Sequence, residues 1–312
     1  NNAATNLTDC AAGGAAEITG FYTGAAVTNT ITVKGAATSV VLNTVAGAVD
    51  VIDASGLTAG GVTADIFGLT AADEGKSKFT GGAGNDTVIT DAGLTDSAAF
   101  IDGGAGVDTL ALTTAETVAA QAARLKNFET LQLNAGIAQN VALLTASAID
   151  KIVFNAAGSS VTNLSAAQAA NVWVKATPTN LSVGVKGADT VGQIDTVKVT
   201  VDDGVAGVLA IGSAIALGTP VLTGVEKLEL TANDSTTITA LTSASALNSI
   251  TLKGAGDISL TSGAITTQVN TVIDGSAATG ALTIELGGVV GTATSNAVAI
   301  TGGSKGDTIT VT

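Results

Sequence analysis

Short runs in which β-branched residues or leucine alternate with polar ones recur along the whole chain. Residues 29–34 (NTITVK), 38–43 (TSVVLN), 196–201 (TVKVTV), 227–231 (KLELT) and 281–286 (ALTIEL) each put every second side chain on one face, with Gly, Asn, Asp or Ser near their ends. This is the pattern of half-buried strands between turns. Two prolines, Pro178 and Pro220, leave few strands interrupted. Strands this short and this evenly punctuated predict a sandwich, a barrel or a solenoid. One stretch has a helical period instead. Thr113 and Glu116 have the spacing of a capping box, and Val118, Ala122 and Leu125 follow at i, i+4 and i+7, with Arg124 and Lys126 near the end. A helix is predicted from Thr114 to about Asn127, and a shorter one over residues 165–170 (SAAQAA).

Repetition chooses among the β architectures. VDTLAL (107–112) matches IDTVKV (194–199), and each is followed by a second pair, FETLQL (128–133) and VEKLEL (225–230). The next strands, AIDKIV and ALNSIT, begin 148 − 129 = 19 and 246 − 226 = 20 residues further on. VIDASGLT (51–58) matches VIDGSAAT (272–279), and a third Asp-Thr start appears in DTITV (307–311). The expected fold is all-β: a parallel β-solenoid with one short embedded helix. It is divided into a β-rich segment 1–80, a turn segment 81–113 and solenoid repeats 114–312 within one elongated body. The stop inside a repeat, and a start without a basic and apolar leader, read as a fragment, a processed product or a protein exported without an N-terminal signal.

Composition narrows the chemistry. The 312 residues include no His and one Cys, and 12 Lys+Arg face 26 Asp+Glu for a net charge of −14. Without His there is no Ser-His-Asp triad and no imidazole ligand or base. One thiol, Cys10, permits neither an internal disulfide nor a thiolate cluster. The acidic balance and the lone Arg124 argue against nucleic acid. Six Phe, one Tyr and one Trp cannot fill a broad core, so the interior must be narrow and built of Val, Leu, Ile, Ala and Thr. Mean hydropathy is +0.49, but the uncharged runs between Asp203 and Glu226 and between Glu285 and Lys305 are broken by Gly, Ser and Thr, so no transmembrane segment is expected. Carboxylates without nitrogen or sulfur ligands favour hard cations, calcium above all.

The candidate chemistry lies in glycine-aspartate loops. Residues 81–89 (GGAGNDTVI) and 103–111 (GGAGVDTLA) match the calcium nonapeptide G-G-x-G-x-D-x-U-x at every specified position. Glycines allow backbone conformations that aim carbonyl oxygens at one point, the Asp adds a carboxylate, and the apolar residue starts a strand. The expected ligand set is Gly82, Gly84, Asp86, Gly104, Gly106 and Asp108. Asp91, Asp96 and Asp102 lie nearby as further carboxylates, and Asp307 belongs to a weaker third copy, residues 302–309 (GGSKGDTI), in which Lys305 replaces the fourth-position glycine. Residues 253–257 and 186–190 are weaker still. The full copies are 103 − 81 = 22 residues apart rather than nine. Calcium takes six to eight oxygens, so a stacked neighbour must complete each site, and several ions are expected.

With these loops, the absence of His and the recurring FETLQL/VEKLEL and VIDASGLT/VIDGSAAT blocks, the chain resembles the calcium-dependent, repeats-in-toxin-type surface-layer proteins of Gram-negative bacteria, the Caulobacter and Campylobacter types most closely. The resemblance implies a structural, non-enzymatic protein secreted by a type I system. Such a protein folds on external calcium and assembles with copies of itself into a two-dimensional lattice on the cell surface, anchored to lipopolysaccharide through a region outside this chain. The alternatives are a secreted adhesin of the same repeat type and a β-helical polysaccharide-degrading enzyme.

The remaining candidates have plainer readings. Asp202-Asp203-Gly204 is read as a turn after a strand rather than a catalytic pair, and Asn233-Asp234 likewise. Asp73 and Glu74 beside Lys76 and Lys78 read as a solvated loop, Trp173 as a packed strand residue, and Cys10 as incidental.

Overall fold

A computed structural model describes residues 16–21, 30–42, 49–66, 77–91, 93–177, 180–204, 215–218, 221–239, 246–262, 271–286 and 298–311. Cys10, Asp73, Glu74, Lys76, Pro178, Pro220 and most of the uncharged run after Asp203 lie outside them. The chain divides into two compact units, Asn1–Gln132 with Leu143–Asp150, and Leu133–Ala142 with Lys151–Thr312. Both are coiled as parallel β-solenoid, about ten turns in all.

The first unit begins with β1 (Ala16–Phe21), β2 (Thr30–Gly35), β3 (Ser39–Leu42), β4 (Val51–Leu57), β5 (Gly61–Asp65) and β6 (Lys78–Thr80). It continues through β7 (Thr87–Thr90), β8 (Phe100–Asp102), β9 (Thr109–Leu112), α1 (Ala119–Ala122), β10 (Leu125–Lys126) and β11 (Thr130–Leu133). Every second strand returns to the same sheet, so β1-β2-β4-β6-β8-β10 form one ladder and β3-β5-β7-β9 run in another. All described pairs are parallel except β1 with β2, which is antiparallel.

The second unit holds β12 (Ala138–Asn140), β13 (Lys151–Phe154), β14 (Ser160–Leu164), α2 (Ala166–Ala169), β15 (Val172–Val174) and β16 (Ser182–Val185). Next come β17 (Thr196–Val201), β18 (Ile215–Gly218), β19 (Lys227–Ala232), β20 (Thr236–Ile238) and β21 (Ser249–Gly254). The last are β22 (Ile258–Ser262), β23 (Val272–Ala278), β24 (Leu282–Leu286), β25 (Ala299–Thr301) and β26 (Thr308–Val311). Its ladders are β13-β15-β17-β19-β21-β23-β25, β12-β14-β16 and β18-β20-β22-β24-β26.

The alternation in the sequence becomes a stack. In-register pairing places like positions of successive coils above one another, so one inward residue per strand builds a continuous column. Ile52, Phe79, Ile101 and Leu125 form such a column in the first unit, each at most 1% exposed. Val172, Val199, Leu230 and Leu252 form one in the second. Phe79, Phe128 and Phe154 are the largest fully buried side chains, in keeping with a thin aliphatic core. Burying each Val, Leu or Ile stabilises by about 1.5–3 kcal/mol, and truncating one to Ala costs about 2–5 kcal/mol.

The predicted helix over residues 114–127 is corrected to the single turn α1. Thr113 does not cap it: its N–H and hydroxyl donate to Thr90 O of the coil below at 2.9 and 3.2 Å. Glu116, 3% exposed, accepts from Val118 N and Gly93 N instead of reaching back to Thr113. Leu125 and Lys126 leave the helix to pair with Ile101 and Asp102. Inter-coil bonding thus overrides the local helical pattern. The shorter helix forms as α2, and there Ser165 and Gln168 do make a reciprocal capping box. Trp173 is half-buried in β15, its ring covered by Lys151 Nζ at 3.8 Å.

One segment occurs twice. ITVKG (31–35) leads through VIDASGLT to Gly81-Gly82, and ITLKG (250–254) leads through VIDGSAAT to Gly302-Gly303. The separations agree, 81 − 51 and 302 − 272 both being 30. β4 takes β6 as its neighbour with Val51 opposite Lys78, and β23 takes β25 with Val272 opposite Ala299. The register breaks at matching points, between Thr32 and Lys34 and between Thr251 and Lys253. Thr58 and Thr279 each donate a hydroxyl to the glycine carbonyl one coil below, Gly35 at 3.0 Å and Gly254 at 3.1 Å.

Candidate metal centre

The glycine-aspartate loops sit at coil corners that lead into β7, β9 and β26. Asp86 and Asp108 are each 1% exposed, and Asp307 is half-buried. In the first loop, Asp86 Oδ2 accepts from Gly82 N at 2.7 Å and Oδ1 accepts from Val62 N of the coil below. In the last, Asp307 Oδ2 accepts from Gly303 N at 2.7 Å and Oδ1 from Leu282 N at 2.9 Å. In the middle loop, Asp108 Oδ1 accepts from Asp86 N at 2.7 Å, whereas Oδ2 is buried without a hydrogen-bond partner.

Burial pushes the Asp86 carboxyl up. Burial raises Asp108 to about 7, aided by the negative charges of Asp86, Glu129 and Asp102 and opposed by the Asp86 N–H.

The glycines act mainly by allowing close approach. A Cβ at the first loop position would lie 2.3 Å from Asp86 Oδ2 at Gly81, 2.9 Å from Asp108 Oδ2 at Gly103 and 2.5 Å from Asp307 Oδ2 at Gly302. Positive φ occurs only in the middle loop, at Gly104 (91°) and Gly106 (141°); Gly82 and Gly84 instead pack against Leu57 and Gly60 of the coil below. Three loop carbonyls are engaged as well. Gly82 O accepts from Ala105 N, Asp86 O from Thr109 N, and Asp108 O from both Glu129 N and Thr130 N. A calcium ion needs six to eight outward-facing oxygens. Both oxygens of Asp86 and of Asp307 are turned onto N–H donors, and among the described residues no group of three acidic side chains converges at either loop, so their side-chain donors fall short of such a shell.

Of the other carboxylates expected around the loops, Asp102 lies near Asp108 and adds to its negative surroundings. Asp96 Oδ1 accepts from Ala98 N at 2.8 Å in a local turn, and Asp102 Oδ1 accepts from Gly104 N and Asn127 Nδ2. Asp91 is half-buried at the end of β7.

Among the described residues, three acidic side chains do converge elsewhere: Asp202, Asp203 and Asp234 offer carboxylate oxygens within 4.8 Å of one another. Two turns in adjacent coils build this group. Thr196 lies opposite Lys227 across β17 and β19, so 31 residues separate equivalent points, and Asp202-Asp203 fall beside Asn233-Asp234. Asp203 N donates to Asp234 Oδ2 at 2.6 Å, Asn233 Nδ2 donates to Asp202 Oδ2 at 2.9 Å, and Gly204 N donates to Asp202 Oδ1 at 2.8 Å. The Asn233 amide, the Gly204 N–H and the nearby cations Lys175 and Lys151 hold the Asp202 carboxyl below its usual range. Asp203 is exposed and the other two are half-buried, so water can complete a coordination shell. The three carboxylates can hold a metal ion, and an oxygen-only donor set suits a hard cation. Read turn by turn, the sequence hides this site; the 31-residue spacing between IDTVKV and VEKLEL is the signal that places the two turns together.

Comparison with protein-family models, curated proteins and solved structures yields no match.

Proposed function

We propose that the chain is a structural subunit of a secreted, calcium-dependent surface lattice on a Gram-negative bacterium, with copies of itself as its principal partner and no catalytic role. The observation that carries this reading is the reuse of one coil block, from Val51 to the loop at Gly81 and from Val272 to the loop at Gly302, with the same 30-residue spacing, matching register breaks before it and the same loop bonds. Repetition of this kind extends a scaffold. The cluster of Asp202, Asp203 and Asp234 supports a dependence on calcium: three carboxylates able to hold a hard cation leave coordination positions that a neighbouring subunit can supply. Attachment to lipopolysaccharide belongs to a region outside this chain.

Electron microscopy of the purified protein in calcium and in EDTA tests the proposal. Ordered sheets in calcium that disperse in EDTA are expected. The double variant Asp202→Asn/Asp234→Asn should keep its circular dichroism spectrum and fail to assemble. Sheets that survive excess chelator, or isolated rods in both conditions, overturn it. A ligand-binding repeat protein is the second reading, favoured by the turn between β16 and β17, where Val191 is 99% and Ile194 66% exposed.

A further inference from the structure

We propose that two glycine-aspartate loops of this chain, those of Asp86 and Asp307, are closed by their own aspartate and not by a metal ion. In this arrangement one carboxylate oxygen holds the N–H of the second glycine and the other holds an N–H of the coil below; the loop of Asp108 makes only the second of these bonds.

Two loops, 307 − 86 = 221 residues apart and in different units, make the same pair of bonds, to Gly82 and Val62 in one and to Gly303 and Leu282 in the other. An ionised carboxylate accepting two backbone N–H groups forms charge-assisted bonds that need no cation. The first glycine follows from this arrangement, because the carboxylate folds back over it and a Cβ at Gly81 or Gly302 would lie 2.3 or 2.5 Å from that oxygen. Lys305 supplies an internal control. It occupies the fourth position, where the calcium pattern requires glycine, and both bonds of Asp307 persist.

The same device appears at corners that lack the glycines. Glu129 Oε2 accepts from Asp108 N at 2.8 Å, Glu226 Oε2 from Asp195 N at 2.8 Å and Asp234 Oδ2 from Asp203 N at 2.6 Å, each joining one coil to the next. A carboxylate on the N–H of the neighbouring coil is thus the common connector of this solenoid. The glycine-aspartate loop is the version in which the second oxygen also closes the turn.

Amide hydrogen exchange on the whole chain tests this. In excess EDTA the N–H groups of Gly82, Val62, Gly303 and Leu282 should exchange at least about a hundredfold more slowly than in a free peptide, and addition of calcium should leave them unchanged. Rapid exchange in EDTA of a folded chain, with protection appearing only in calcium, overturns the proposal. If the chain unfolds in EDTA, calorimetric titration in calcium decides. Asp86→Asn and Asp307→Asn should bind as many calcium ions per chain as the parent, and loss of one ion in either variant overturns it. Assembly, read separately from the Asp202→Asn/Asp234→Asn variant, does not depend on this outcome.

Discussion

The block at residues 31–90 and its counterpart at 250–311 share their loop chemistry and differ in cover. In the first, a further coil lies over the loop: Asp108 accepts the Asp86 N–H, Gly103 O sits against Gly81, and Asp86 is 1% exposed. In the second, Asp307 is half-buried and Ile309, which extends the column of Ile238, Leu260 and Ile284, is 43% exposed while those three are at most 1% exposed. Two related six-residue loops therefore make the same bonds in two dielectric settings. The bonds are set by the loop and the coil below it, whereas their worth is set by the coil above.

That difference is most directly broken by removing the carboxylates. Asp86→Ala strands two buried N–H groups and should cost about 3–5 kcal/mol, whereas Asp307→Ala exposes its N–H groups to water and should cost about 1–2 kcal/mol. Chemical denaturation in EDTA measures both, and equal losses would mean that cover does not matter. Filling the first glycine follows in size. A Cβ at Gly81 would meet Gly103 O at 1.9 Å as well as the carboxylate, while the nearest atom at Gly302 is the Asp307 carboxylate oxygen, 2.5 Å away. Gly81→Ala should cost about 3 kcal/mol and Gly302→Ala about 1 kcal/mol, since a side chain yields where a backbone carbonyl does not.

Strand alternation was legible because in a stacked solenoid each side chain's fate depends on its own strand: TVKVTV and KLELTA bury every second residue as their patterns require. The helix at residues 114–127 was misread because Thr113 and Glu116 find partners in Thr90 and Gly93, more than twenty positions earlier, which no local window contains. The acidic site at Asp202, Asp203 and Asp234 was hidden for the same reason, being the sum of two turns that are unremarkable singly. The duplication was only partly seen. VIDASGLT and VIDGSAAT match openly, but ITVKG and ITLKG become their partners only once the register of β2 on β4 and of β21 on β23 is known.

The middle loop has no counterpart in the second block, and its carboxyl is the one raised furthest among the described residues. Asp108 faces Asp86, Glu129 and Asp102, and burial raises it from 3.8 to about 7. The folded chain thus keeps a proton that the unfolded chain releases near pH 4. The stability this gives is complete below pH 4, declines as pH rises, and is lost above 7. A loss of about 2 kcal/mol is expected between pH 5 and 6.5. Asp202, Glu229 and Asp274 have lowered values and act in the opposite sense, losing their contribution only as pH falls below about 4. Melting curves in EDTA at pH 5 and 6.5 should show the decline in the parent and a shallower one in Asp108→Asn, which retains an oxygen for the Asp86 N–H, because the buried Asp86 acts in the same direction. A decline undiminished in the variant would assign the titration to another carboxyl.

The smallest effect concerns the lysine common to both blocks, Lys34 in ITVKG and Lys253 in ITLKG. Lys253 Nζ lies 2.9 Å from Glu229 Oε2, and Lys198 Nζ lies 3.2 Å from Glu229 Oε1, so one carboxylate bridges two cations across three successive coils. Hydrogen bonding to Lys253, and then to Lys198, holds the Glu229 carboxyl below its usual range. All three side chains are solvated, and exposed ion pairs contribute about 0.2–1 kcal/mol before salt screening. Lys253→Ala should therefore lower stability by no more than about 0.5 kcal/mol, and the loss should vanish at high ionic strength. Denaturation of the parent and of Lys253→Ala at low and high salt measures this directly. A loss that survives high salt would show that the lysine stem matters more than its charge.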